Sequence, residues 1–361
     1  MKILCLSKRR PQGKDLIKRP FGRFYNLPTL LSEYGHEVKL HLLSYTFEPE
    51  VEFKQENLYW TSRSLLKNPV SYLKTAEVFC EQWKPDWIIA FSDIWYGIMA
   101  YRLSSKYKVK FVIDAYDNYE SYIPWAKPAH YLWRKSLNNA DLITVAGPEL
   151  GRIMNGSRRQ GRSVVVPMAA DNIFTPIKDK IKSRKKLGIP ANKKIIGYCG
   201  SISHSRDIEI LFSAITKLNR EHPEIQLILS GRVAANVTVP KDAILLGYLP
   251  DEKIPDLIGC LDVLAVVNKD SNFGQHSYPV KLYEAMRCKI PLATTKTAAT
   301  IWILRDHPEM LAKSSDHVDL ARVLQNALKT TPEVTYSAIN NWRESSKTLE
   351  EALSTHETKR P

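Results

Sequence analysis

Short β-branched apolar runs alternate with helical patterns along this chain, and the alternation occurs twice. In the first half, Lys2–Ser7, Val38–Leu43, Trp87–Phe91, Lys110–Ala115, Leu142–Ala146 and Val164–Val166 read as strands. Helical patterns lie between them at Arg23–Tyr34, Tyr72–Trp83, Tyr96–Ser105 and His130–Asn138. The strands are continuous apolar runs, as in a parallel sheet covered on both faces. A Pro- and charge-rich stretch, Thr175 to Lys194, interrupts the rhythm, which then restarts. Ile195–Tyr198, Gln226–Leu229, Ala243–Leu246, Val263–Val267 and Leu292–Thr294 read as strands; Ile208–Asn219, Asp251–Ile258, Val280–Arg287, His317–Leu328 and Tyr336–Leu353 read as helices. Two such sets predict an α/β protein of two doubly wound, Rossmann-like domains facing across a cleft. The expected boundaries are 1–174, 175–335 and a C-terminal helix over 336–361. In open α/β sheets, ligands sit beyond the carboxyl ends of the strands.

The length of 361 residues suits two domains. Apolar residues at 44% and charged residues at 25% exclude a disordered, collagen-like or coiled-coil chain. Cys5, Cys80, Cys199, Cys260 and Cys288 are scattered and odd in number, with no metal spacing, which argues for a reducing compartment. The apolar start stops at Lys8, too short for a signal peptide. The longest apolar region, Trp87–Tyr101, falls short of a membrane span. A soluble, cytoplasmic protein is expected. The formal charge of +14 favours anionic partners, and Lys8–Arg23 is the densest basic stretch. A solvated loop would carry such a run equally well.

Several segments carry chemistry. Leu31–Val38 holds Gly35-His36-Glu37, which resembles the L…GHEV turn of two-domain GT-B glycosyltransferases; Gly35 suits a left-handed helix cap. Val165–Pro176 is similar to the V-P-N-G-V-D…F-x-P hinge of the family 4 retaining glycosyltransferases, with Met168-Ala169-Ala170 replacing Asn-Gly-Val. Ser277-Tyr278-Pro279-Val280-Lys281-Leu282-Tyr283-Glu284-Ala285-Met286 resembles that family's S-x-P-x-K-L-x-E-A-M segment. Physically, a proline in the first helical turn loses nothing, and the helix N-terminus offers N–H groups to a diphosphate. Glu284, one turn on, is placed for ribose hydroxyls. Lys281 is either a phosphate partner or a solvated residue.

In the family a second glutamate precedes the first by eight residues; here that position is His276. Tyr198–Asp207 resembles the family's G-R-x4-K-G phosphate loop, with Ser201 on the arginine position, Arg206 on the lysine position and Gly200 before them. Arg232 is either the second phosphate cation or a solvated loop residue. Asp117, after the strand ending at Ala115, is either an acceptor contact or a helix cap. The resemblance thus marks Asp117, His276 and Arg206 as catalytic candidates, and Gly200, Ser201, Arg232, Ser277, Tyr278, Pro279, Val280, Lys281 and Glu284 as donor-binding ones. Tyr122–Lys135 interleaves aromatic and basic residues, as a membrane-interface segment or a packed loop and helix does.

The chain lacks GxxxxGK[ST], a GxGxxG after the first strand, HExxH and GxSxG. The resemblance implies a GT-B fold whose last helix crosses back to the N-terminal domain. It implies a retaining glycosyltransferase moving a sugar from a nucleotide-sugar donor to a glycan or lipid-linked acceptor, in polysaccharide or glycolipid assembly. No cofactor, metal or nucleic acid is expected; an anionic membrane surface on the cytoplasmic side is an expected partner. A GT-B nucleotide-sugar epimerase, a basic binding protein and an inactive family relative are the alternatives.

Overall fold

The computed structural model describes residues 1–155, 163–329, 334–337 and 339–357. It divides into two compact units: residues 1–168 with 341–361, and residues 169–340.

The first unit holds eight strands, β1 (Lys2–Lys8), β2 (Glu37–Ser44), β3 (Val51–Gln55), β4 (Leu58–Ser64), β5 (Trp87–Phe91), β6 (Lys110–Ala115), β7 (Leu142–Val145) and β8 (Ser163–Val165). Their spatial order is β3-β4-β2-β1-β5-β6-β7-β8. Every pairing is parallel except the β3–β4 hairpin. Ile3 to Leu6 lie between Val38–His41 on one side and Trp87–Ala90 on the other, so the strand order reverses at β1/β5. Helices α1 (Arg23–Glu33), α2 (Ser71–Val78), α3 (Ile94–Tyr107), α4 (Lys127–Asn139) and α5 (Pro148–Asn155) complete the crossovers.

The sequence reading passes over β3 and β4. In β4, Thr61, Ser62 and Ser64 are buried, so its polar residues hide a core strand. Burial is tolerated because the polar atoms are paired: Thr61 Oγ1 meets His41 Nδ1 at 2.6 Å, and His41 Nε2 meets the Tyr72 carbonyl at 2.9 Å. Desolvation lowers the His41 pKa to about 3, outweighing the Tyr72 hydrogen bond. The ring is therefore neutral at ordinary pH.

The second unit holds β9 (Lys194–Cys199), β10 (Ile225–Ser230), β11 (Ile244–Gly247), β12 (Val263–Val266), β13 (Leu292–Thr295) and β14 (Leu311–Ala312). The order is β11-β10-β9-β12-β13-β14, all parallel, reversing at β9/β12. Its helices are α6 (Lys180–Leu187), α7 (Ile208–Asn219), α8 (Ile254–Gly259), α9 (Val280–Arg287), α10 (Ala298–Ile303) and α11 (His317–Lys329). Ile208, Leu211 and Ile215 of α7 join Leu320 and Leu324 of α11 over the strands in one apolar cluster.

The Pro- and charge-rich stretch Thr175–Lys194 contains α6 and lies in this unit, as expected for residues 175–335. The Asp179 carboxylate accepts from Lys182 N–H at 2.9 Å, and Gly188 at φ 68° ends the helix. Arg184 is buried, with Nη2 2.8 Å from Asp262 and Nε donating to the Cys260 carbonyl. The division between units falls at Met168/Ala169, before the expected residue 174. Phe174 is buried, and its carbonyl accepts from Arg287 of the second unit.

The last helix, α12, spans Trp342–Glu357, later than the expected start at Tyr336. Tyr336 is held aside instead: its hydroxyl donates to the Ile290 carbonyl at 2.7 Å. Residues 338 and 358–361 of the expected C-terminal segment lie outside the described residues. The α12 segment is part of the first unit. There Ser345 Oγ donates to the Pro167 carbonyl at 3.0 Å, and Arg343 pairs with Glu33 at 2.9 Å.

Candidate functional site

Parallel-sheet topology points to the carboxyl ends of β9 and β12, where the strand order reverses. Loop 200–207 leaves β9 there, and loop 267–279 leaves β12. Gly200 N–H donates to the Ser230 carbonyl, and Ile202 N–H to the Arg232 carbonyl, so the β9 loop is laid along the β10 loop. A Cβ on Gly231, at φ 144°, would fall 1.8 Å from the Gly200 carbonyl oxygen. Only glycine allows that approach. Gly200 differs: a Cβ there would meet nothing closer than Tyr198 Oη at 3.5 Å.

Arg206 ends the short helical turn His204–Arg206. Its Nη1 donates to Asn268 Oδ1 at 2.8 Å, and its guanidinium lies 5.2 Å from the Phe273 ring centroid. Arg206 takes part in no salt bridge among the described residues. Ser201 is exposed, and its carbonyl accepts from Tyr198 Oη at 2.8 Å. Arg232 is exposed and lies 5.4 Å from the Tyr248 ring.

The β12 loop carries a second tight approach. A Cβ on Gly274 would fall 1.9 Å from the Lys269 carbonyl oxygen. The turn Gly274–His276 then presents His276, whose Nδ1 is 2.9 Å from the Asn272 carbonyl. A carbonyl only accepts, so Nδ1 carries the proton and the neutral ring keeps its lone pair on Nε2. Ser277 and Tyr278 are buried, and Tyr278 packs edge-on against Trp302 at 5.9 Å. Pro279 is the cap of α9 rather than a residue of its first turn, and Val280 opens the helix. Among the described residues no side chain caps that end. Its first N–H groups and positive dipole end suit an anion.

Glu284 is buried on the second turn of α9, and Lys281 Nζ reaches its Oε2 at 2.5 Å. Burial alone would lower the Lys281 pKa. The Glu284 carboxylate more than offsets this, by charge and by hydrogen bond, and holds it above the ordinary lysine value. Lys281 is thus not simply solvated: it is paired with the Glu284 carboxylate. It also lies within electrostatic reach of Cys199, the last residue of β9.

Asn268 and Thr295 were not singled out in the sequence. Asn268 is 2% exposed just past β12, and its Nδ2 is buried with no hydrogen-bond partner among the described residues. Such an orphan costs about 1–3 kcal/mol. The available signal was a polar residue closing the apolar run Val263–Val267, where a strand reaches the ligand edge.

Asp117 belongs to the first unit. It is 7% exposed and accepts from Tyr122 Oη at 2.8 Å. The turn after it, Tyr119–Ser121, begins from Asn118. Within the basic stretch Lys8–Arg23, four cations meet carboxylates. Lys8 pairs with Asp93 at 3.1 Å, Arg9 with Asp15 at 2.9 Å and Arg10 with Glu48 at 2.7 Å. Arg23 is 3% exposed and bidentate to Asp114, both contacts at 2.7 Å. All five cysteines are buried and free. Among the described residues no group of three or more His, Cys, Asp or Glu is arranged to hold a metal, and no helix is long and apolar enough to cross a membrane.

Residues 179–346 match the family model of glycosyl transferases group 1. A D-inositol 3-phosphate glycosyltransferase of Corynebacterium jeikeium is 28% identical over 182 residues, covering 45% of this chain and 42% of that protein. The chain thus spans about two-fifths of the length of the curated relatives it matches. Among solved structures, sucrose-phosphate synthase of Thermosynechococcus elongatus superposes with a TM-score of 0.72 at 16% identity, over 98% of this chain and 94% of that one. Anabaena HepE in complex with UDP gives 0.70 at 16% identity, over 99% and 97%. Likeness at that identity shows the fold, and the fold is GT-B.

Proposed function

We propose that this chain, whose residues 179–346 form a glycosyl transferases group 1 domain, is a glycosyltransferase that moves a sugar from a nucleotide-sugar donor to an acceptor hydroxyl. The observation that carries the reading is the set of groups at the carboxyl ends of β9 and β12. Arg206 keeps its full charge, α9 presents an uncapped N-terminus, and Glu284 is a buried carboxylate oriented by Lys281. These three suit two phosphates and a ribose: the guanidinium and the N–H groups bind phosphate oxygens, and Glu284 accepts from ribose hydroxyls. A uridine nucleotide is the first donor to test, because a solved protein of this fold holds UDP.

Cleavage of the donor sugar's anomeric bond develops charge on the diphosphate. Arg206 and the α9 N-terminus stabilise that charge more as the bond breaks, which is how fixed donors lower a barrier. His276 Nε2 faces sugar hydroxyls as an acceptor. We read the reaction as retaining, with the donor phosphate taking the acceptor proton; Asp117 then binds the acceptor and need not act as base. The acceptor is a glycan or a lipid-linked sugar. Trp125 at 79% exposure and Tyr131 at 69%, beside Lys127 and Lys135, support a membrane-surface acceptor on the cytoplasmic face.

A thermal-shift screen against UDP-, GDP-, ADP- and CMP-sugars tests this, with Glu284→Ala as control. A ligand that binds only the folded protein raises Tm by mass action. Protection by one nucleotide class, lost in Glu284→Ala, selects the donor for transfer assays, and the anomer of the product decides retention. Release of an altered free nucleotide sugar without acceptor would replace transfer with epimerisation. No protection by any of the four would sink the donor-site reading.

A further inference from the structure

We propose that Asn268 is a positioning residue of the donor site, kept to aim the Arg206 guanidinium without neutralising it. The proposal rests on the donor-site reading above and adds a residue to it.

The backbone of Asn268 is fixed from the neighbouring strand. Its N–H donates to Thr295 Oγ1 at 2.9 Å, and the same hydroxyl donates back to the Asn268 carbonyl at 3.0 Å. Thr295 is fully buried at the end of β13, and its own carbonyl accepts from Thr300 Oγ1 at 2.8 Å. The side chain therefore leaves a rigid base. One amide atom is used: Oδ1 accepts from Arg206 Nη1 at 2.8 Å. The other, Nδ2, is buried and unpartnered. A leucine, with the same branched heavy-atom skeleton and no polar atom, would leave no orphan, so polar satisfaction within the fold does not require asparagine here. The bond to Arg206 does.

The choice of amide over carboxylate has a second consequence. An aspartate would hold the guanidinium more tightly and cancel its charge, as Asp114 does for the buried Arg23. A neutral acceptor sets direction and leaves the charge for phosphate oxygens. The Phe273 ring, 5.2 Å away, does the same from another side.

The test combines Asn268→Leu, Asn268→Asp and Arg206→Ala with side-chain 15N NMR of the arginines. In the unliganded protein, Arg206 should show hindered rotation of its guanidinium, lost in Asn268→Leu while Tm stays equal or rises. With donor and acceptor, Asn268→Leu should lower kcat/KM about tenfold. In an Arg206→Ala background it should cost nothing more. Asn268→Asp should keep the hindered rotation but raise the donor KM, the split that separates aim from charge. A freely rotating Arg206 in the wild type, equal hindrance in Asn268→Leu, or an additive loss in the double variant would each overturn the proposal. If the hindrance is present and Asn268-dependent while no nucleotide sugar binds, the positioning stands and the donor reading falls.

Discussion

At the carboxyl end of β1, in the first unit, cations meet carboxylates: Lys8 with Asp93, Arg9 with Asp15, Arg10 with Glu48, Arg23 with Asp114. At the carboxyl end of β9, in the second unit, Arg206 meets an amide and a ring. In both units the central strands are parallel and the strand order reverses at that edge. Topology thus nominates two sites, and charge pairing separates them. In the first unit the cations are used to hold loops and the β7–β8 edge together. Arg23 also donates to the Val166 carbonyl at 2.7 Å, while Thr144 reaches the same Asp114 carboxylate. In the second unit the guanidinium is aimed and left charged, which is what binding an anion requires.

The comparison breaks most visibly at Asp114. Asp114→Ala strands a buried guanidinium and should destabilise the first unit by about 3–5 kcal/mol, read as a fall in the denaturant midpoint. Arg206→Ala leaves only the Asn268 Oδ1 without its partner and strands no charge, so it should cost no more than about 1–3 kcal/mol, less than the loss at Asp114. Equal losses from the two substitutions would erase the distinction between structural and functional cations.

Glu284 tests the second unit from its other side. Removing a carboxylate that accepts from ribose should cost about 1.5–3 kcal/mol of nucleotide affinity, the range for a hydrogen bond to a charged group. Titration calorimetry with UDP measures it. Glu284→Gln keeps the shape and an acceptor oxygen but removes the charge that holds Lys281; unchanged affinity in Glu284→Ala would assign Glu284 to packing alone, and a loss in Ala but not in Gln would assign it to hydrogen bonding without charge.

Acid sharpens the contrast by acting on the first unit. His41 titrates near 6.5 when unfolded and at about 3 when folded, so the unfolded state binds the extra proton between those values. Stability is therefore complete above about pH 6.5 and falls as the pH drops, by up to about 1.4 kcal/mol per unit from this group. His41→Gln should flatten that limb of the stability profile. A profile identical to wild type would mean that other groups govern it.

The strands on which this comparison stands were legible because β1, β5, β6, β9 and β12 are buried on both faces and carry continuous apolar cores such as Ile3–Leu6 and Phe111–Ile113. The segment 277–286 was legible because proline, lysine and glutamate keep helix spacing. Pairing was not. Asp114 lies 91 residues from Arg23, and Asn268 lies 62 from Arg206, so neither partner is visible in a local pattern. The basic stretch shows the same limit: charge is counted along the chain, while pairing happens across the fold. β4 was missed on the converse ground, since its buried hydroxyls look solvated until His41 is placed beside them.

The smallest effect on stability should come from the loop that would face the diphosphate. Gly200 and Gly231 are neighbours there, yet only Gly231 is required by the fold, both by its φ of 144° and by its approach to the Gly200 carbonyl. Gly200 has an ordinary backbone conformation, and an added methyl would make a normal contact with Tyr198. Gly200→Ala should therefore change stability by less than about 0.5 kcal/mol. Its cost should appear in UDP affinity, because the methyl takes space that phosphate oxygens need near backbone N–H groups. If Gly200→Ala binds UDP as wild type does, the diphosphate lies away from this loop, toward α9. If it loses UDP with an unchanged Tm, the space above Gly200 is reserved for ligand, and the loop after β9 is to the second unit what the paired cations are not to the first.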